Sequence, residues 1–369
     1  MDSITDKNSE RIQRKIFRSV QEVYNLKPKG YFFDVTNVYF YGTECKIAKK
    51  GHNKEGSYKP QVQIGLAVAE DEGIPIFHKT FEGNIFDARV LRDTMTSFHN
   101  FNIKDTFLIW DKGVSSEENI LDAKRTGFDI ICGLAIKQNL KKKVDEFIEK
   151  KNFIQLENRV RLQNAVMYCI KQKYTYGKVK GSIVLCFNEE TARVNRERRI
   201  DNVQRAKELI DKKKPIPQGV QKYFKNKGIN KTALLNAQKY DGYTVLFSTK
   251  DLPIEKIVKP YFEKDKVEKA FRSLKSVLGL RPIKHWLEER VKSHIFVCYL
   301  AYLLTTLLEH KLRKTDFTAL SALDKLTSAY KVYLRDPKTK NEFEKNVMLT
   351  TDQEKIMKAV DKKILKPSV

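Results

Sequence analysis

The sequence predicts an α/β fold built on a mixed sheet, with a β-containing insertion and a C-terminal helical region. Three observations predict it. From Tyr31, three segments rich in β-branched and aromatic residues follow one another: YFFDVTNVYFYG, QVQIGLAVAE and IPIFHKTFEG, separated by polar and glycine-containing stretches that read as turns of a meander. Helical and strand patterns then alternate, through Asp87–Phe98, TFLIW, Ser115–Arg125 and FDIICGLAI. Finally, the pattern turns irregular between Lys137 and about Pro253, then resumes as helices.

Each element has its own signal. Ile12, Ile16, Val20 and Tyr24 recur at helical spacing, so residues 9–24 form a short amphipathic helix before the first strand. Val90, Leu91 and Met95 mark a crossover helix, and Asp111-Lys112-Gly113 is a turn after the apolar strand TFLIW. The irregular region holds a basic helix (Lys141–Lys151), the strands NAVMYCIKQKYTY and GSIVLCFN, and a charged helix near Thr191–Lys212. A linker with Pro215, Pro217, Gly219 and Gly228 then leads to the strand GYTVLFST. A long helix starts at Pro260, and further helices run to about Ile364, with Thr351-Asp352-Gln353-Glu354 offering a capping box. The expected partition is a helical segment (1–28), a core in two parts (29–137 and 254–310), an insertion (138–253) and a C-terminal helical region (311–369). A meander followed by β-α-β-α-β is the order of a ribonuclease H-like sheet.

A chain of 369 residues is long enough to bury a sizeable core. Its 41% hydrophobic content sets it apart from disordered chains despite 32% charged residues. Lys and Arg number 71 against 46 Asp and Glu, a formal net charge of +25. Such an excess favours a polyanionic partner through counterion release, nucleic acid first; solvated lysine-rich surface is the blander reading. The five cysteines lie far apart without a C-x-x-C pair, which suggests neither a zinc site nor a disulfide framework and fits a reducing, cytoplasmic setting. His285 and His294 are nine residues apart, which puts them on different sides of a helix, and Trp286 between them suggests packing. The longest apolar run, Ile295–Leu308, falls short of the roughly 20 residues that span a bilayer and reads as a buried helix.

Three carboxylates are candidates for chemistry. Asp34 sits mid-strand on the same face as Phe32, Thr36, Val38 and Phe40, where a lone charge is expensive to bury. A hard divalent cation, Mg²⁺ or Mn²⁺, offsets that cost; a hydrogen-bonded structural aspartate is the alternative. Asp111 follows TFLIW at its carboxyl end, where open α/β sheets gather ligands, although aspartate there also serves as a turn or cap residue. On one continuous helix from Pro260, at about 100° per residue, Tyr261, Lys264, Glu268 and Lys275 fall within a stripe roughly 60° wide. Val267, Phe271, Leu274 and Leu278 form an apolar face beside it. The alternative is an ordinary amphipathic helix with chance Lys–Glu neighbours.

The spacing of those four residues resembles the Tyr-Arg-Glu-Lys signature of insertion-sequence DDE transposases, with Lys264 in place of the arginine. That exchange keeps the charge and loses bidentate geometry. FDVTNVYF and WDKGVSSEENI are similar to the family's two aspartate segments. VEKAFRSLKSVLGLRPIKHWLEERVKSHIFVCYLAYLL is similar to its glutamate helix and the helical segments after it. The resemblance implies that Asp34, Asp111 and Glu268 hold two Mg²⁺ or Mn²⁺ ions that cut and join DNA ends. It also implies that Tyr261, Lys264 and Lys275 contact DNA phosphates, and that the protein acts as a homodimer on double-stranded DNA. By the same resemblance the insertion is like that of relatives that form a DNA hairpin, with Trp110 or an insertion aromatic available to stack on a flipped base. Family members generally carry a helical end-binding domain before the first strand, whereas 33 residues precede Asp34 here. Two other readings stay open: a ribonuclease H-like nuclease that hydrolyses without joining, and a truncated, inactive transposase that only binds DNA.

Overall fold

A computed structural model describes residues 4–40, 42, 44–51, 59–70, 72–101, 103, 106–149, 153–226, 228–339, 342–346 and 348–361. The chain separates into two compact units, residues 1–86 with 266–369, and residues 87–265.

The first unit opens with α1 (Asp6–Tyr24), which starts earlier than the apolar spacing indicates because Thr5 caps it, accepting a hydrogen bond from the Asn8 amide. Phe17 and Val20 form its buried stripe, and Asn25, in the left-handed conformation, ends it. Three strands follow, β1 (Gly30–Tyr39), β2 (Gln61–Ala69) and β3 (Pro75–Glu82), antiparallel in sequence order as the meander pattern predicts. Asp34 lies opposite Leu66 in this register. Every residue of β2 is buried, as expected of a strand flanked on both edges.

In the second unit, α2 (Asp87–Asn100), β4 (Phe107–Trp110), α3 (Glu117–Arg125) and β5 (Asp129–Leu134) build a parallel crossover, with Trp110 opposite Cys132. After α4 (Gln138–Glu149) come β6 (Arg159–Arg161), β7 (Val166–Tyr176) and β8 (Val179–Phe187). The β7–β8 hairpin turns at Gly177, whose φ of 57° suits glycine. Next are α5 (Glu189–Asp211), α6 (Gln218–Gln221), the two-residue strands β9 (Phe224–Lys225) and β10 (Gly228–Ile229), α7 (Lys231–Gln238), β11 (Tyr243–Ser248) and α8 (Ile254–Phe262). β11 pairs antiparallel with both β5 and β8, so the strands of the expected insertion extend the sheet of β4 and β5 without a break at residue 137 or 253. The unit's sheet runs β4-β5-β11-β8-β7-β6 and is mixed. The elements through β5 follow the ribonuclease H-like order of β-β-β-α-β-α-β.

The chain returns to the first unit with α9 (Asp265–Ser276) and α10 (Glu288–Leu312). At 25 residues, α10 is longer than the apolar run suggests, and by length and composition it could cross a membrane. It is used here as a core helix: Phe296 and Tyr299 stack on His78 of β3. His78 is fully enclosed, and burial holds its pKa down to about 3, so the imidazole is neutral. Gln13 of α1 bonds its ring and its backbone.

The C-terminal region is not wholly helical. Between α11 (Ala319–Leu326) and α12 (Thr351–Val360), strands β12 (Lys331–Arg335) and β13 (Glu342–Asn346) form a hairpin. Its sequence sign is the alternation in KVYLR followed by the turn pair Asp336-Pro337. The capping box of α12 begins one residue earlier than expected, with Thr350 and Gln353 bonded reciprocally.

Candidate active site

The helix expected from Pro260 is two helices. α8 ends at Phe262, where the Glu263 amide donates to the carbonyls of Lys259 and Pro260, and α9 starts at Asp265. Pro260 lies in the last turn of α8, and Lys264 falls in the break. The stripe expected of one continuous helix therefore does not exist as such. Tyr261 and Lys264 belong to the second unit, Glu268 and Lys275 to the first. Each pair has its own carboxylate partner or neighbour.

In the second unit, Asp111 ends β4 and caps a single 3-10 turn (Lys112–Val114), its Oδ1 accepting from the Lys112 amide at 2.8 Å. The turn-cap reading of Asp111 is thus correct as far as it goes. The same oxygen also accepts the Tyr261 hydroxyl at 2.9 Å and lies 2.8 Å from the Lys264 ammonium. Lys264 closes the triangle, 3.3 Å from the Tyr261 oxygen and 4.4 Å from its ring centroid. Burial pushes the Asp111 carboxyl up, but the Lys264 bond and charge, the Lys112 amide and the Tyr261 hydroxyl together hold it below the ordinary aspartate value. Burial first, and then the Asp111 charge, raise the Tyr261 phenol, so it stays protonated and donates.

Tyr261 is only 3% exposed, so its phenol contacts Asp111 in this structure and not the surroundings expected of a phosphate ligand. Gly133 of β5 makes room for it: a Cβ there would stand 2.3 Å from the hydroxyl oxygen. Sequence reasoning missed Gly133, which appears only as the small residue of FDIICGLAI. Trp110, an expected stacking residue, is 1% exposed, and its indole N–H donates to Ser115 Oγ at 3.0 Å. It is a core side chain, as are its β4 neighbours Leu108 and Ile109, all of them buried.

In the first unit, Asp34 is half-buried in the middle of β1, with Oδ1 accepting from the Val35 amide at 2.8 Å. Lys275 of α9 donates to Thr36 Oγ1, on the same strand face as Asp34. Glu268 stands seven residues before Lys275, hence on nearly the same side of α9 and roughly 10 Å back along it. Its carboxylate is exposed and has no polar partner among the described residues.

The donor chemistry suits a hard cation: carboxylate oxygens, with Asp34 half-buried within β1 and Asp111 half-buried just after β4 and held below its ordinary pKa. Among the described residues, no group of three or more His, Cys, Asp and Glu side chains stands close enough to hold a metal ion. Lys264 occupies the position beside Asp111 where a cation is favoured. His285 and His294, expected on different sides of a helix, have ring centroids 5.5 Å apart, because His285 precedes α10 and folds back onto it.

Residues 25–304 match the family described as "Transposase DDE domain". The chain is a member of that family. No curated protein matches it. Among solved structures, this transposase-family chain is similar to a piggyBac transposase synaptic complex with hairpin DNA, at 9% identity and a TM-score of 0.46. That likeness covers 99% of this chain and 62% of the other, so the chain spans less than two thirds of that relative's length. A Mos1 transposase paired-end complex with the left transposon end is similar at 9% identity and a TM-score of 0.21, covering 35% of this chain and 43% of that one.

Proposed function

We propose that this transposase-family chain is an insertion-sequence enzyme that cuts and joins DNA ends, with Asp34, Asp111 and Glu268 as ligands of two Mg²⁺ or Mn²⁺ ions. The observation that carries this reading is the state of Asp111: a carboxylate at the end of β4, kept ionised by Lys264 and oriented by Tyr261 at the family's spacing. When bound, the paired cations supply an activated attacking oxygen and charge stabilisation at the leaving oxygen.

The chain's own residues do the positioning. Tyr261 fixes which Asp111 oxygen faces inward and leaves the second oxygen of that carboxylate for other partners. Lys264 neutralises Asp111 in the resting state. Were Asp111 to hold a cation, Lys264, now paired with it, would be the ammonium beside that acid that could contact a scissile-strand phosphate. Lys275, tethered at Thr36, brings a second cation to the Asp34 face of β1. The homodimer on two double-stranded ends belongs to the same proposal.

The test is Mg²⁺-dependent nicking of a labelled duplex by the wild type and by Asp111→Asn. Loss of nicking with DNA binding retained supports the reading. A 3′-hydroxyl end that is nicked but never joined to target DNA would favour the simple nuclease instead.

A further inference from the structure

The chain has two tryptophans, and they differ in kind. Trp110 is core, whereas Trp286 is 68% exposed. An exposed indole is usually mobile, but this one is fixed. Its N–H donates to the Lys284 carbonyl at 3.2 Å, and the segment carrying it is pinned by Leu280 and Ile283, 1% and 4% exposed. His285, next to it, packs on His294 of α10, and His294 is in turn bonded to the backbone at Gly279 and Leu280. The indole's one polar atom is satisfied internally, so what it offers outward is ring surface.

That ring borders a groove of about 480 Å³ lined by Phe40, Gly42, Pro282, Ile283, Lys284 and Trp286. No acid lines it. Lys284 and Arg281 are exposed on the same segment, and Glu288, two residues beyond Trp286, is paired with Lys292 at 2.8 Å. Phe40 shares the strand face of Asp34 and Thr36, so the groove lies about 20 Å along that face from Asp34, at 3.3 Å per residue. With 3.4 Å per phosphate on one strand, that is roughly six nucleotide steps.

We infer that the Trp286 groove is a stacking shelf for an unpaired DNA base flanking the cleavage point, with Lys284 and Arg281 on the adjoining phosphates. An aromatic ring with cations beside it is the recurring surface for single-stranded nucleic acid, because every base has a stacking face and every step carries a phosphate. A duplex end keeps its bases stacked internally, so the shelf favours ends with an unpaired overhang. The inference rests on the proposal that the chain handles DNA ends.

The test is tryptophan fluorescence of the full chain without added metal, titrated with three DNAs: a blunt duplex, the same duplex with a six-nucleotide overhang, and that overhang made abasic. Trp110 is buried and supplies a constant background. The overhang is expected to quench Trp286 emission, and neither the blunt nor the abasic DNA is. Trp286→Ala should weaken overhang binding roughly five- to hundredfold with little effect on blunt duplex, and Trp286→Phe should restore part of it. Equal quenching by the abasic overhang, or equal affinities of wild type and Trp286→Ala for overhang DNA, overturns the shelf. So does a change of Trp286→Ala in sedimentation alone, which would make the surface a subunit contact. If the wild type binds none of the three DNAs, the DNA-handling proposal fails with it; if it binds duplex with no preference for the overhang, only the shelf fails.

Discussion

The Tyr261 hydroxyl reaches Asp111 Oδ1 across the backbone of Gly133, the one residue type that leaves space for it. A methyl group at 133 would lie 2.3 Å from the phenol oxygen and would force the ring off the carboxylate. Gly133→Ala is therefore expected to cost more cleavage activity than Tyr261→Phe, which removes the hydrogen bond and leaves the ring in place. The Phe variant should lose about 1 kcal/mol of stability at most, since Asp111 remains half-exposed and can bond water. Thermal unfolding and nicking rates of the two variants check the order; a harmless Gly133→Ala would mean that the phenol position is not required.

Lys264 sets the acid side of the pH profile. It is the strongest influence holding the Asp111 carboxyl below its ordinary value against burial. Lys264→Met should raise that value, so activity on the acid side should fall away at a higher pH than in the wild type. The stability linkage has the same sign: a depressed folded-state value contributes stability above the unfolded carboxylate value, lost as pH falls through the folded one. The variant should lose part of that contribution and show a weaker pH dependence of unfolding in acid. An unshifted acid limb in the nicking profile would break the link between Lys264 and Asp111.

Lys275 and the Lys141-Lys142-Lys143 run separate positioning from diffuse charge. Lys275 is tied to Thr36 beside Asp34, whereas Lys141 and Lys142 are exposed on α4. Lys275→Ala should lower nicking by tenfold or more, on the order expected for a misplaced reacting group, with a small effect on affinity. Alanine in the 141–143 run should mainly reduce the salt dependence of binding. Rate and salt-dependent affinity measured for both sets distinguish them, and identical behaviour of the two would remove the special role of Lys275.

Much of this was legible in the sequence. Runs rich in β-branched and aromatic residues between polar and glycine-containing stretches located β1 to β3, and the strands on either side of α3 were visible from short apolar runs bounded by turn residues. Asp34 and Asp111 stood out because a carboxylate in or at the end of an apolar strand needs a reason. The break at Glu263–Lys264 was less visible. On one continuous helix the buried residues of α8 (Ile257, Val258, Tyr261) and of α9 (Val267, Phe271, Leu274) would be out of phase, a sign that is lost when the helix is read only from Pro260 onward. The role of Gly133 depends on tertiary neighbours that no local pattern encodes, whereas the β12–β13 hairpin has a local sign in KVYLR and Asp336-Pro337 that a wholly helical reading passes over. Trp286 was misleading for a related reason: a tryptophan beside two histidines reads as packing, yet the histidines pack on each other and leave the indole outside.

The most direct test of the central claim is metal-dependent nicking by Asp34→Asn, Asp111→Asn and Glu268→Gln, each paired with a DNA-binding measurement. These isosteric changes remove a metal-binding charge and keep shape, so a shared metal site predicts that all three lose Mg²⁺-dependent cleavage by at least about a hundredfold while binding duplex normally. Glu268 decides the matter, because it is the most exposed of the three and the one without a polar partner among the described residues. Nicking by Glu268→Gln at the wild-type rate, with Asp34→Asn and Asp111→Asn inactive, would contradict the assignment of the third carboxylate.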